Sequence, residues 1–78
     1  NPFNGTTQIW FKLTEESNVN VTIYDYTGKE VSTINPGTLA SGNHSVEFNS
    51  ANLPSGIYFY ALEVNGIKTD TKKMTLMR

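Results

Sequence analysis

The stretch LPSGIYFYALEVNG, residues 53–66, has the most ordered pattern in the chain. Gly56 permits a sharp bend, and residues 57–64 are then rich in aromatic and β-branched side chains, as is typical of a strand. Asn65-Gly66 predicts a type I′ hairpin turn, because this turn requires positive φ at both central residues. We therefore expect a corner, a strand and a tight turn, followed by a strand that returns antiparallel from Ile67 to Met77.

A tyrosine follows the predicted corner directly. In immunoglobulin-like sandwiches, a tyrosine near the start of a late strand donates a hydrogen bond back to the preceding corner. Tyr58 fits this role, with Leu53 filling the core beneath the bend. The inward face of the strand is expected to comprise Tyr58, Tyr60, Leu62 and Val64. The outward face is expected to comprise Phe59, Ala61 and Glu63.

Period-two alternation recurs along the chain, and alternation places successive side chains on opposite faces of a strand. The alternating apolar sets are Ile9, Phe11 and Leu13; Val19, Val21 and Ile23; and His44, Val46 and Phe48. A short strand is also predicted over residues 29–34, with a break at Asn35-Pro36-Gly37 and a loop over residues 38–42. The chain is thus predicted to be all-β, a small immunoglobulin-like antiparallel β-sandwich of six to seven strands.

The bulk properties limit what the chain can be. Its 78 residues predict one small domain over residues 1–78, and the absence of cysteine excludes disulfides and thiol chemistry. Because the chain opens on Asn1-Pro2-Phe3 without a methionine, we interpret it as a fragment of a longer protein. No apolar run approaches the roughly 20 residues that span a bilayer, so no transmembrane segment is expected.

Charge is distributed unevenly. The formal net charge of -1 argues against a nucleic-acid partner. Residues 68–78 nevertheless carry four basic residues and one acidic residue, whereas the rest of the chain carries two basic and six acidic residues. This basic tail has two interpretations: its lysines keep an edge strand soluble, or they contact a partner.

Catalytic chemistry finds little support in the sequence. His44 is the single histidine and lies on the inward face of a predicted strand, where a structural role is the simpler interpretation. Glu15 and Glu16 are adjacent in a turn and do not face each other across a cleft, as glycosidase carboxylates must. No cluster suggests a metal site or a phosphate loop. We therefore expect no enzyme activity, no cofactor and no metal.

Three aromatic side chains are predicted on outer faces: Trp10, Tyr24 and Phe59. Outward aromatic rings can stack on sugars or on a neighbouring domain. In a sandwich this small they more often pack on a loop or on the domain upstream. The sequence leaves both interpretations open.

Six short motifs in order resemble one known family. The motifs are Asn1-Pro2-Phe3-Asn4, the first alternating strand, Ile23-Tyr24-Asp25 with Gly28-Lys-Glu-Val31, residues 42–49, Leu53 with Gly56 and Tyr58, and residues 72–78. Together they resemble the type A C-terminal sorting domain of the bacterial type IX (Por) secretion system. Phe48 and Asn49 depart from this pattern, since tryptophan and aspartate are commoner there, as does Gly5, where proline is common.

The resemblance implies a function in protein export. It implies that the domain is fused to an upstream cargo domain, directs it from the periplasm across the outer membrane, and is cut off by a sortase-like peptidase. The partners implied are the type IX translocon and that peptidase, and the cargo is then secreted or held at the cell surface. The residues implied in recognition are Gly56, Tyr58, Lys72, Lys73, Met74, Thr75, Leu76, Met77 and Arg78.

An alternative belongs to a different class of protein. Similar immunoglobulin-like modules accompany secreted hydrolases and occur in the flagellar hook-cap protein. Such an accessory module would stabilise its neighbour or bind a polysaccharide through Trp10 and Phe59. Fold alone does not separate these functions, because sandwiches carry many of them.

Overall fold

The computed structural model describes residues 2–3 and 5–77, and this part of the chain is all-β, as predicted. Its strands are β1 (Pro2–Phe3), β2 (Thr6–Leu13), β3 (Ser17–Asp25), β4 (Glu30–Leu39), β5 (Gly42–Asn49), β6 (Gly56–Val64) and β7 (Ile67–Leu76). The predicted sandwich of six to seven strands is confirmed.

The strands form two sheets that face each other. The larger one, sheet A, has the order β1-β7-β6-β3-β4, and the smaller one, sheet B, pairs β2 with β5. Neighbouring strands are antiparallel except at one edge, where β1 runs parallel to the end of β7. Two strands therefore cover the inner face of a five-stranded sheet.

The core lies between the sheets and follows the alternation of the sequence. On β3, Val19, Val21 and Ile23 are completely buried. Sheet B contributes the buried residues Ile9, Leu13, Val46 and Phe48, and sheet A adds Tyr58, Met74 and Leu76. Full burial of one such aliphatic side chain contributes about 1.5–3 kcal/mol, so these inward positions supply the main stabilising term.

The predicted break at Asn35-Pro36-Gly37 is wrong, because β4 continues through it to Leu39. Between the pairs Val21↔Ile34 and Val19↔Gly37, Asn35 and Pro36 both lie opposite the single residue Asn20. This is a β-bulge on an edge strand, one of the few places where a sheet accommodates proline. Gly37 has a φ of 88°, and its N–H donates to Asn35 Oδ1 at 2.9 Å.

The inward face of β6 is as predicted, since Tyr58 is buried in the core and the other three side chains pack against it. Ala61, which was expected on the outward face, is nevertheless completely buried. Ala61 pairs with Thr22 in register, one row from Tyr24. The Tyr24 hydroxyl accepts a hydrogen bond at 3.3 Å from the Lys68 ammonium. Lys68 lies on β7 opposite Glu63, two residues beyond Ala61 on β6. The contact between Tyr24 and Lys68 therefore lies on the same face of sheet A as Ala61.

The β6–β7 turn forms where Asn65-Gly66 predicted it. Asn65 has a φ of 52° and Gly66 a φ of 82°, as a type I′ turn requires. Asn65 also ties the turn to the start of β3: its N–H donates to the Asn18 carbonyl at 2.8 Å, and its Oδ1 accepts from the Asn18 N–H at 2.8 Å. The asparagine thus sets both the turn and its position against a neighbouring strand.

The turn between β3 and β4 is organised by one carboxylate. Asp25 Oδ1 accepts from the Thr27 hydroxyl at 2.6 Å, the Thr27 N–H at 2.9 Å and the Lys29 N–H at 3.0 Å. These bonds favour the charged form, and the Thr27 hydroxyl makes the largest contribution to lowering the pKa of Asp25. The carboxylate therefore stabilises the folded chain most when it is ionised.

Acid should weaken this turn. Because the pKa of Asp25 is lowered on folding, its contribution is fully present above the ordinary aspartate value of about 4 and is lost as pH falls through the folded value. We expect Asp25→Asn to reduce the loss of unfolding free energy between neutral and acid pH, measured by urea denaturation. Asp70→Asn, which changes an exposed carboxylate on β7, is the matched control. Equal acid sensitivity of the Asp25→Asn variant and the unmodified chain would contradict this account.

Candidate functional site

The β6–β7 hairpin contains the predicted recognition residues from Gly56 to Leu76, and a sharp bend lies at its first residue, Gly56. Gly56 has a φ of 153°, which side-chain-bearing residues rarely adopt. A Cβ at this position would meet no atom within 4 Å, so the backbone angle, not space, favours glycine here. The bend directs the chain from the exposed Pro54-Ser55 segment into β6.

Tyr58 closes this corner. Its side chain is buried, and its hydroxyl donates to the Pro54 carbonyl at 2.8 Å. Leu53 is half-buried against the core, as predicted. In register, Tyr58 lies between Asp25 of β3 and Met74 of β7, so the corner is attached to the middle of sheet A. The predicted tyrosine corner is confirmed.

The basic tail is part of a strand and does not extend freely from the domain. Within β7, Met74 and Leu76 are buried in the core, and Thr75 is half-buried. Lys72 and Lys73 are exposed, and Met77, which follows the strand, is exposed as well. Arg78 lies outside the described residues. The predicted signal therefore divides into side chains that build the fold and side chains that a partner can contact.

One edge of β7 is largely open. Its other edge pairs with β6, whereas among residues 2–3 and 5–77 the open edge is paired only by β1, at Thr75 and Leu76. Lys72 and Lys73 lie opposite Tyr60 and Phe59, so they project from the two faces of this edge strand. Charged side chains on an edge strand oppose uncontrolled pairing, which is the solubility interpretation of the tail.

A bulge interrupts β7 before these lysines. Ala61 pairs with Thr71 and Glu63 with Lys68, so Thr69 and Asp70 both lie opposite Leu62. The Thr69 hydroxyl donates to the Leu62 carbonyl at 3.0 Å and so satisfies an acceptor beside the interrupted ladder. The regular part of β7 begins at Thr71.

The aromatic side chains have different surroundings. Tyr24 and Phe59 are half-buried on the outer face of sheet A, where the Lys68 ammonium lies 5.2 Å from the centre of the Tyr24 ring. The Tyr24 ring is thus partly covered by a side chain of its own sheet. Trp10, in contrast, is 69% exposed on β2. Of the three aromatic residues predicted on outer faces, Trp10 is therefore the one most available to a partner.

His44 has structural partners. It is half-buried on β5, and its Nε2–H donates to the Ala40 carbonyl at 2.7 Å. Its ring stacks on Phe11 with centroids 5.8 Å apart. Within residues 2–3 and 5–77, no group of three or more His, Asp or Glu side chains is placed to bind a metal ion.

Ser50 is an important residue that the sequence pattern did not reveal. It is completely buried, and both its hydroxyl and its N–H donate to the Gly5 carbonyl at 2.7 Å. These bonds tie the end of β5 to the connection that leads into β2. A serine in a polar run carries no periodic signal, so only the structure identifies it.

Comparison with known families decides what kind of domain this is. The family model for the secretion system C-terminal sorting domain matches residues 1–77. The chain belongs to this family. Membership implies a chain fused to upstream cargo, recognised by the type IX system, and part of an exported protein that is secreted or held at the cell surface. The family is not a catalytic one.

A solved structure supports the fold of the sorting domain. The crystal structure of FlgD from P. aeruginosa matches it with a TM-score of 0.64 and 28% sequence identity. The match covers 87% of this chain and 58% of the FlgD chain, so the sorting domain corresponds to just over half of that structure. A search of curated proteins found no significant match. The described residues contain no helix long and apolar enough to cross a membrane.

The tyrosine corner should contribute measurably to stability. Tyr58→Phe keeps the ring but removes the donor to the Pro54 carbonyl, and we expect unfolding free energy to fall by about 1–3 kcal/mol. Tyr26→Phe removes a hydroxyl from a side chain that is 77% exposed, and it should be near neutral. Urea denaturation followed by circular dichroism measures both changes. Equal effects of the two substitutions would show that the corner bond contributes nothing specific.

Proposed function

We propose that the sorting domain directs its fused cargo from the periplasm across the outer membrane through the type IX translocon. A sortase-like peptidase then removes the domain. Membership of the sorting-domain family supports the general role. The observation that carries the site assignment is the position of two adjacent exposed lysines on the open edge of β7.

The recognition residues act in two different ways under this proposal. Lys72, Lys73 and Met77 are exposed, so they can contact the translocon directly. Met74 and Leu76 are buried and can act only by holding β7 in the sheet. Gly56 and Tyr58 likewise act through the corner that positions β6 beside β7. Thr75 is half-buried next to β1, and Arg78 completes the basic tail.

The open edge suggests how the translocon binds. An extended partner segment can add to an exposed strand edge through main-chain hydrogen bonds. Lysines at such an edge attract an acidic partner and raise the rate of encounter. We therefore expect strand addition along the regular part of β7, steered by Lys72 and Lys73.

A secretion assay with paired charge reversals tests this assignment. A fluorescent reporter is fused before residues 1–78 and expressed in a host with a working type IX system, and reporter is measured in medium and periplasm. The unmodified domain should export the reporter to the medium. Lys72→Glu with Lys73→Glu should reduce export by roughly tenfold, which corresponds to about 1.4 kcal/mol of recognition free energy.

Lys29→Glu is the matched control, because Lys29 is exposed in the β3–β4 turn away from β7. Circular dichroism must show that all variants remain folded. Removing residues 73–78 would be a poor test, since it also removes Met74 and Leu76 from the core. Full export by the double variant would overturn the role of the lysines. Periplasmic retention of the unmodified fusion would favour the accessory-module alternative.

Removal of the domain gives a separate prediction. Mass spectrometry of reporter recovered from the medium should show a product that lacks most or all of residues 1–78, whereas periplasmic reporter should retain them. The same fusion expressed without the sortase-like peptidase is the control and should keep the domain. An intact domain on reporter from the medium of the complete host would contradict cleavage.

A further inference from the structure

The inner face of sheet A is incompletely covered on one side. Inward residues of β3 are completely buried, whereas Tyr60, Leu62 and Val64 of the neighbouring strand β6 are only half-buried. All three pack against the core and also face a groove. The difference arises because sheet B has only two strands and ends at β2.

We call this space the β2–β7 groove. Its floor is formed by Tyr60, Leu62 and Val64, and its walls by residues 7–12 of β2 and residues 69–74 of β7. Two adjoining cavities of about 290 Å³ and 280 Å³ make up the groove and share Ile9, Tyr60 and Lys72. The floor residues recur at every second position, which is the spacing of side chains along one face of a strand.

The edge of β2 that borders the groove is suited to pairing. β2 pairs with β5 in unbroken register from Thr6 to Leu13, and its second edge pairs with no strand among residues 2–3 and 5–77. The opposite wall is less regular, since β7 carries the bulge at Thr69 and Asp70. A third strand of sheet B would therefore pair with β2.

Charge indicates the chemistry of the occupant. Lys12 and Lys72 line the part of the groove above Tyr60, Leu62 and Val64, together with the carboxylate of Asp70, whereas the Lys73 side chain projects from the opposite face of β7. A second copy of this chain would bring its own groove lysines against these and repel them. An acidic segment from another protein would instead be attracted.

We propose that the β2–β7 groove binds an extended segment of a partner protein in which apolar and acidic residues alternate. The segment adds to β2 as a third strand of sheet B. Its apolar side chains cover Tyr60, Leu62 and Val64, and its carboxylates lie on the opposite face of the added strand, the face on which β2 carries Lys12. This surface goes beyond the proposed sorting function, because the groove is present whichever partner binds the open edge of β7.

Peptide binding to the isolated domain tests the groove. The probe is a capped peptide of about eight residues, the length of β2, that alternates valine and glutamate. Trp10 is the only tryptophan and lines the groove, so its fluorescence should change saturably with peptide. Backbone amide signals of residues 7–12 should shift and become protected from hydrogen exchange. A peptide alternating valine and lysine should bind at least roughly tenfold more weakly, a difference of about 1.4 kcal/mol.

Charge reversal on β2 separates this proposal from the sorting assignment. Lys12→Glu should weaken binding of the glutamate peptide by roughly tenfold while leaving residues 72–78 unchanged. Lys29→Glu, on an exposed turn, is the control and should bind normally. If Lys12→Glu binds less peptide but its reporter is exported normally, the groove proposal stands independently of the tail.

Three outcomes would overturn the groove proposal. They are absence of saturable binding, equal binding of the glutamate and lysine peptides, and amide shifts confined to residues outside the groove. Sedimentation provides a further check, because a dimer that the glutamate peptide does not displace would assign the β2 edge to a second copy. Each of these results leaves the secretion assay with Lys72 and Lys73 unaffected.

Discussion

A two-stranded sheet has to cover a five-stranded one, and most properties of this domain follow from that mismatch. Coverage is complete over β3, whose inward valines and isoleucine are fully buried, and partial over the three inward residues at the far end of β6. On β7, the inward position Lys72 is exposed, while Met74, two residues on, is buried. Among the inward residues of sheet A, the position under the smaller sheet therefore decides how far each side chain is buried.

The structure is compatible with the proposed location of the sorting signal within a folded domain. β7 supplies buried anchors and exposed lysines within a few residues, so under the proposal the part that a partner would contact is held in place by the part that packs. Gly56 and Tyr58 hold the neighbouring strand in place through one backbone angle and one hydrogen bond at 2.8 Å. The backbone of the proposed recognition surface is thus already in a paired strand before any partner binds, and such preorganisation reduces the entropy cost of association.

Local signals in the sequence were sufficient for most of the fold. Alternation predicted the inward residues of β2, β3, β5 and β6, and Asn65-Gly66 predicted the hairpin because its φ requirement is local. Pro36 was misread as a break, since the bulge that accommodates it depends on pairing with β3. The burial of Ala61 and Ser50 also escaped prediction, because alternation does not reveal contacts between residues distant in sequence, such as that of Ser50 with Gly5. The groove beside β2 follows from strand order, which alternation does not encode.

The parallel pairing of β1 with the end of β7 has a mechanical consequence. Pro2 lies beside Thr75 and Phe3 beside Leu76, so chain leading into β1 and chain leaving β7 depart from opposite ends of this short ladder. Tension applied between those two segments pulls the strands past each other, and the load is shared by all the hydrogen bonds of the ladder at once. If the two strands were antiparallel, the same tension would act at one end of the ladder and would break its hydrogen bonds one at a time. The contact between the first and last strands therefore acts as a shear clamp against extension of the domain.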